Sequence, residues 1–291
     1  MKKDLLSIND LSKADIEKIF KLTDRLKNKH TTDLKNKVLA MIFEKSSTRT
    51  RVSFEVAMQQ LGGHAIFLSK NDIQLGRGEP ISDTARILSK YVDGIMARLF
   101  KHEDLLELAK YSSVPVINGL TDFSHPCQIL ADLYTVLKKK KTLDLKFAWI
   151  GDGNNVCNSF IFASKKLGFD LTVATPKGYE PKEEVLKGSK VKVTNNPVEA
   201  VKNSDVIITD TWISMGQEEE KEKRLKDFKG FQVNKELVKH AKSSYIFLHC
   251  MPAYRGYEVS SEIIDGKNSL VIEEASNRLH TEKAILKLLI K

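Results

Sequence analysis

No apolar run in the 291 residues approaches the ~18–20 needed to cross a bilayer, and the opening MKKDLLSIND lacks the apolar stretch of a secretory signal. A soluble, cytoplasmic protein with no membrane partner is therefore expected. Cysteine is scarce: Cys127, Cys157 and Cys250 are an odd number, lie far apart and form no CxxC pair, which argues against a disulfide framework and against a zinc site. Proline (7) and glycine (15) are too few for a collagen or a low-complexity chain. What is present is 41% hydrophobic and 29% charged sequence, enough apolar material for a sizeable core beneath a polar surface. Lys and Arg (47) exceed Asp and Glu (38), giving a net charge of +9. These cations are dispersed and interleaved with acids, and the one pure run, 138–141, falls where a helix ends. With no RNP, zinc-finger or helix-turn-helix pattern beside it, the run reads as a solvated linker, and no nucleic-acid partner is expected.

Short apolar runs of strand type alternate with longer stretches of helical spacing, the pattern of an α/β fold with parallel sheets flanked by helices. Strands are expected at 38–43, 65–68, 94–97 and 114–118, with helices at 51–61, 82–91, 102–111 and 126–139. A second series follows: strands at 147–150, 171–174, 206–209 and 245–248, with helices at 156–167 and 235–241 and an amphipathic helix at 274–290. Two domains are read from this, 1–137 and 138–271, joined by interdomain helices, with the C-terminal helix, 272–291, packing back on the first. The charged cluster 218–223 is expected to be a solvated, mobile loop.

Ligands of parallel sheets bind beyond the carboxyl ends of the strands, so the residues after each strand are the informative ones. After 38–43 comes Glu44-Lys45-Ser46-Ser47-Thr48-Arg49-Thr50-Arg51, running into a helix. Hydroxyls, backbone N–H groups, a helix N-terminus and the Arg49 fork together make an anion site, whereas a simple Ser/Thr N-cap explains only one hydroxyl. Arg98 follows the third strand, where it could stabilise a negatively charged transition state. His125-Pro126-Cys127-Gln128 opens another helix; His125 could polarise a carbonyl and Gln128 bind an amide, or the pair could be a cap. In the second series Gly151-Asp152-Gly153-Asn154-Asn155 resembles half of a dinucleotide fingerprint, but it lacks the third glycine, and no acid closes the next strand. Asp210 to Gly216 and His249-Cys250-Met251-Pro252 follow the next two strands, bringing an acid, a hydroxyl and a thiol to one sheet edge.

Together these elements resemble the aspartate/ornithine carbamoyltransferase family over nearly the whole chain. The family's Ser-x-Arg-Thr phosphate signature is matched by Ser47 to Thr50 and its HPxQ signature by His125 to Gln128. The Asp-x-x-x-Ser-Met-Gly loop, which selects ornithine over aspartate, is matched by Asp210, Ser214, Met215 and Gly216, and the HCLP-type motif by His249 to Pro252. The resemblance implies that Ser47, Thr48, Arg49 and Thr50 hold the phosphate of carbamoyl phosphate, while Arg98, His125 and Gln128 hold its carbamoyl group. It further implies that Cys250, the Met251 backbone and Arg278 complete that pocket, and that Asn155, Asp210, Ser214 and Met215 hold ornithine. Gln74, in Asp72-Ile73-Gln74-Leu75-Gly76, matches a loop residue that reaches a neighbouring subunit's site, so a homotrimer with shared sites is implied. Met251 and Tyr254 depart from the family's usual Leu and His.

The implied reaction is attack of the δ-amine of L-ornithine on carbamoyl phosphate, giving L-citrulline and phosphate, with neither metal nor cofactor. Arg98 and His125 are expected as cationic donors to the oxyanion, and Asp210 beside Cys250 as the route by which the amine loses its proton. The alternatives are a carbamoyltransferase for another amine, such as putrescine, and a nucleotide-binding dehydrogenase.

Overall fold

A computed structural model describes residues 3–214 and 216–291. The chain divides into two compact units, 1–134 with 276–291, and 135–275. Helices Pro126–Lys140 and Val271–Leu289 each begin in one unit and end in the other. Among the described residues no helix is long and apolar enough to cross a membrane.

In the first unit, Lys13–Leu26 (α1) precedes β1 (Val38–Phe43), α2 (Thr48–Gln60), β2 (His64–Ser69), α3 (Ile81–Tyr91), β3 (Gly94–Arg98), α4 (His102–Tyr111), β4 (Val116–Leu120) and α5 (Pro126–Lys140). The four strands are parallel in the order β2-β1-β3-β4. The central strands β1 and β3 read as near-continuous apolar runs because both of their faces are covered. The chain leaves β1 toward β2 and returns on the other side as β3, so the order reverses between β1 and β3, where parallel sheets open a crevice. Phe43 pairs with Arg98, and Arg98 with Leu120, which aligns the three strand ends at one edge. Opposite β4 the register slips between Ala97 and Arg98. Gly119 permits this: a Cβ there would meet Met96 Sδ at 2.5 Å. β4 lies two residues later than the 114–118 expected from the sequence, and the extra residue at Gly119 lets its pairing with β3 continue to Leu120.

The N-terminal segment adds to the β4 edge through Leu5, whose N–H donates to Val116 O at 2.9 Å and whose carbonyl accepts from Asn118 N at 2.8 Å. The C-terminal helix is fixed to the same unit by Lys283, a wholly buried lysine that donates to the carbonyls of Leu26 and Lys29 and to Gln60 Oε1.

In the second unit, β5 (Lys146–Ile150), α6 (Asn155–Leu167), β6 (Asp170–Ala174), β7 (Lys192–Thr194), β8 (Val206–Thr209) and β9 (Ile246–His249) form a parallel sheet in the order β7-β6-β5-β8-β9. The reversal falls between β5 and β8. Ile150 pairs with Thr209 and Thr209 with His249, so Gly151, Asp210 and Cys250 leave the sheet side by side. Glu218–Glu220 and Lys221–Asp227 are helical turns rather than the loop the charge run implied. Their outer residues are solvated, but Arg224 turns inward and donates to Glu220, Asp152 and the Trp212 carbonyl, which gives the segment its helical anchor.

Candidate active site

In the first unit the loop after β1 ends in Ser47, the N-cap of α2, whose hydroxyl accepts from Thr50 N at 3.2 Å. The remaining N–H groups of the first turn, and the positive end of the helix, face the carboxyl edge of the sheet. Glu44 braces this loop by accepting from Lys70 Nζ at 2.7 Å and from Phe100 N at 2.9 Å. Arg98 closes β3 and is nearly buried, as are His125 and Gln128 at the head of α5. Burial first, then the charges of Arg278, Arg98 and Arg49, hold the His125 imidazole well below its usual range. Three guanidinium groups thus act on one ring. That direction runs against one expectation: an imidazole held below its usual range does not favour the cation read from the sequence.

Behind these groups lies a buried polar chain that motif reading missed in part. Arg278 donates to Gln128 Oε1 at 2.6 Å and to Thr50 Oγ1 at 3.3 Å, joining the Ser47–Thr50 and His125–Gln128 motifs. It also makes two bonds to Glu282, whose carboxyl burial pushes up against the opposing pull of Arg278. Gln128 Nε2 donates onward to Asp132 at 2.8 Å. Gln74 is presented on the exposed face of a turn, Gln74–Arg77, while its neighbours Ile73 and Leu75 pack against the sheet's core. Gly76 is needed there, because a Cβ would come within 2.2 Å of the Lys70 carbonyl.

In the second unit Asp210 accepts from Cys250 Sγ at 3.1 Å and from Asn154 Nδ2 at 2.8 Å. Asn154 is also the N-cap of α6: its Oδ1 accepts from Val156 N and Cys157 N, so its amide can face Asp210 only as a donor. Asn155 opens α6 beside it. Trp212 roots the following loop in the core against Phe228, and Ser214 N donates to Gln217 Oε1 at 3.0 Å. Met215 lies outside the described residues. Met251 has φ +60, in the left-handed region, and is held there by its N–H bond to His249 Nδ1 at 2.9 Å. His249 Nε2 faces the buried Glu258 at 3.3 Å, and Glu274 accepts from His249 N. Ligand-type atoms of Asp210, His249 and Cys250 lie within 4.8 Å of one another, but both nitrogens of His249 are already engaged. Tyr254 is half exposed and stacks on Tyr257.

Gly151 and Gly153 have backbone explanations that the sequence did not show: Gly151 takes φ +134, and Gly153 packs against residues 179–181. A Cβ on Gly153 would come within 2.5 Å of Pro181 N, and Gly153 N donates to Tyr179 O. Gly153 is therefore the glycine that lets the turn pack against residues 179–181.

Residues 3–138 match the family model described as aspartate/ornithine carbamoyltransferase, carbamoyl-P binding domain, and residues 143–289 match the Asp/Orn binding domain of the same family. An ornithine carbamoyltransferase of Pyrococcus horikoshii is 55% identical, covering 99% of this chain and 96% of the relative. A Pyrococcus furiosus relative described as ornithine carbamoyltransferase, anabolic, is 54% identical, covering 99% of this chain and 96% of its own. The solved structure of ornithine carbamoyltransferase from Pyrococcus furiosus superposes with a TM-score of 0.95 at 54% identity, covering 99% of this chain and 96% of that one.

Proposed function

The chain belongs to the aspartate/ornithine carbamoyltransferase family, and on that footing we propose a role for each group of site residues. The protein catalyses transfer of the carbamoyl group of carbamoyl phosphate to the δ-amine of L-ornithine, giving L-citrulline and phosphate. Ser47, Thr48, Arg49 and Thr50, at the N-terminus of α2, take the phosphate. Arg98, Gln128 and His125 take the carbamoyl oxygen and amide, with Arg278 ordering Gln128 and Thr50. As the amine nitrogen bonds to the carbonyl carbon, negative charge moves onto the carbonyl oxygen, and Arg98 and the His125 N–H meet it. The carbon–oxygen bond to phosphate then breaks. Arg49 and the helix terminus stabilise the charge that leaves.

Asn155, Asp210, Ser214 and Met215 hold the amino-acid end of ornithine. The δ-amine, with a pKa like that of lysine, must lose a proton before or during attack, and Cys250 with Asp210 receives it. The contact of Cys250 Sγ with Asp210 at 3.1 Å carries this reading, because the phosphate grip alone would serve any carbamoyltransferase. The working direction is citrulline synthesis in arginine biosynthesis, supported by the relative described as anabolic. A cytoplasmic homotrimer in which Gln74 serves a neighbour's site fits the exposed setting of that residue.

A panel of amines tests the substrate. At fixed carbamoyl phosphate, kcat/KM for ornithine should exceed that for putrescine by ~10³-fold or more, since a site built to hold a carboxylate leaves polar groups unpaired when it is missing. Equal use of putrescine would sink the assignment of Asn155 and the Asp210 loop to an amino acid.

A further inference from the structure

Four of the five donors of the Arg278 guanidinium are committed within its own unit. Nε and Nη2 both donate to a single oxygen, Glu282 Oε1, at 2.9 and 2.7 Å; Nη1 donates to Gln128 and Nη2 also to Thr50. Glu282 lies one helical turn beyond Arg278 and is wholly buried. It belongs to none of the family's motifs, and no step of the transfer uses it. A buried carboxylate is costly to keep, so its presence asks for a function. Gln128 is held at both ends, its Oε1 by Arg278 and its Nε2 by Asp132, which fixes which way the carboxamide points.

We propose that Glu282 is a positioning residue for carbamoyl phosphate: by gripping Arg278 it holds Thr50 and Gln128, one from each motif, in the arrangement the ligand meets. The inference rests on the reading of the first unit as the carbamoyl phosphate site. Without the grip, Arg278 is a charged fork on a flexible stem with two donors left over, and Thr50 and Gln128 lose a fixed partner. The ligand must then order all three on binding, which weakens its binding more than it slows the chemical step.

Replacement of Glu282 separates position from charge. Glu282→Gln keeps a carbonyl oxygen where both Arg278 bonds converge but removes the charge. Glu282→Asp keeps the charge but withdraws the acceptor by about 1.5 Å, one carbon–carbon bond. Glu282→Leu removes both. Steady-state kinetics on the full chain should show KM for carbamoyl phosphate within about threefold of wild type for Gln and raised ~10- to 100-fold for Asp and Leu, with KM for ornithine unchanged. If Leu fails to fold, the order of Gln and Asp still decides. Asp equal to or better than Gln would mean that Glu282 only balances charge, and equal values in all variants would mean that it does not act on the site; either overturns the proposal. A wild-type chain that does not bind carbamoyl phosphate in calorimetry would instead defeat the reading of the site, and the proposal with it.

Discussion

Asp210→Asn changes one atom and leaves the shape of the site alone, so its effect can be worked from the hydrogen bonds around it. Asn154 cannot turn its amide, because its Oδ1 caps α6 through Val156 N and Cys157 N at 3.0 and 3.1 Å. The new asparagine must therefore keep its oxygen toward Asn154 Nδ2 and present its NH2 to Cys250 Sγ. A donor then stands where the thiol had an acceptor. The lost bond to a charged group is worth about 1.5–3 kcal/mol, or roughly 10- to 150-fold, and loss of a proton acceptor costs ~10²–10⁴-fold. Turnover at saturating substrates, followed as citrulline, should fall by at least ~10²-fold. KM for carbamoyl phosphate should stay within about threefold, since Asp210 belongs to the unit assigned ornithine. If Asp210 and Cys250 act as one relay, the double variant with Cys250→Ser should be scarcely slower than Asp210→Asn alone. Turnover of Asp210→Asn close to wild type, or losses that multiply in the double variant, would refute the relay.

His280 is held at about 4 by burial and by the charges of Lys27 and Lys283, below the ordinary 6.5. The unfolded chain takes up this proton first, so the contribution is complete above pH 6.5 and is lost as pH falls toward 4; His280→Gln should flatten that part of the urea midpoint-against-pH curve. Arg224→Ala should leave the buried Asp152 carboxylate unpaired and destabilise the fold by about 3–5 kcal/mol in denaturant titration. It should also raise KM for ornithine through the released Trp212 loop, while a selective rise in KM for carbamoyl phosphate would contradict the placement. If sites are shared between subunits, mixing Arg49→Ala with Gln74→Asp subunits, each inactive alone, should restore about a quarter of the sites after dissociation and random reassembly. Reassembled trimers without recovered activity would show that both residues serve one subunit's site.

The apolar runs of β1, β3, β5 and β8 were legible in the sequence because buried parallel strands need no alternation. The polar residues that follow them were legible as site candidates for the same topological reason. The continuation of β4 to Leu120 was not, since it passes through a bulge at Gly119 that only pairing with Ala97 and Arg98 reveals. Helix α1 had a readable start, Ser12 capped reciprocally with Asp15, but lies outside the strand–helix alternation that guided the reading. The segment 218–223 looked like a solvated loop because its charges are crowded, while the buried Arg224 just beyond it anchors the helical turns. Glu258, Glu274 and Glu282 were illegible as site residues. A glutamate reads as surface unless its partner is known, and of these three only Glu282 shares a helix with its partner, Arg278.

The central claim is tested most directly by following one carbon. With carbamoyl phosphate labelled with carbon-13 in its carbonyl and unlabelled ornithine, the account predicts the label in the ureido carbon of citrulline, one phosphate released per citrulline, and neither product when ornithine is withheld. Phosphate released without labelled citrulline, or in excess of it at saturating ornithine, would contradict a direct transfer from carbamoyl phosphate to the δ-amine.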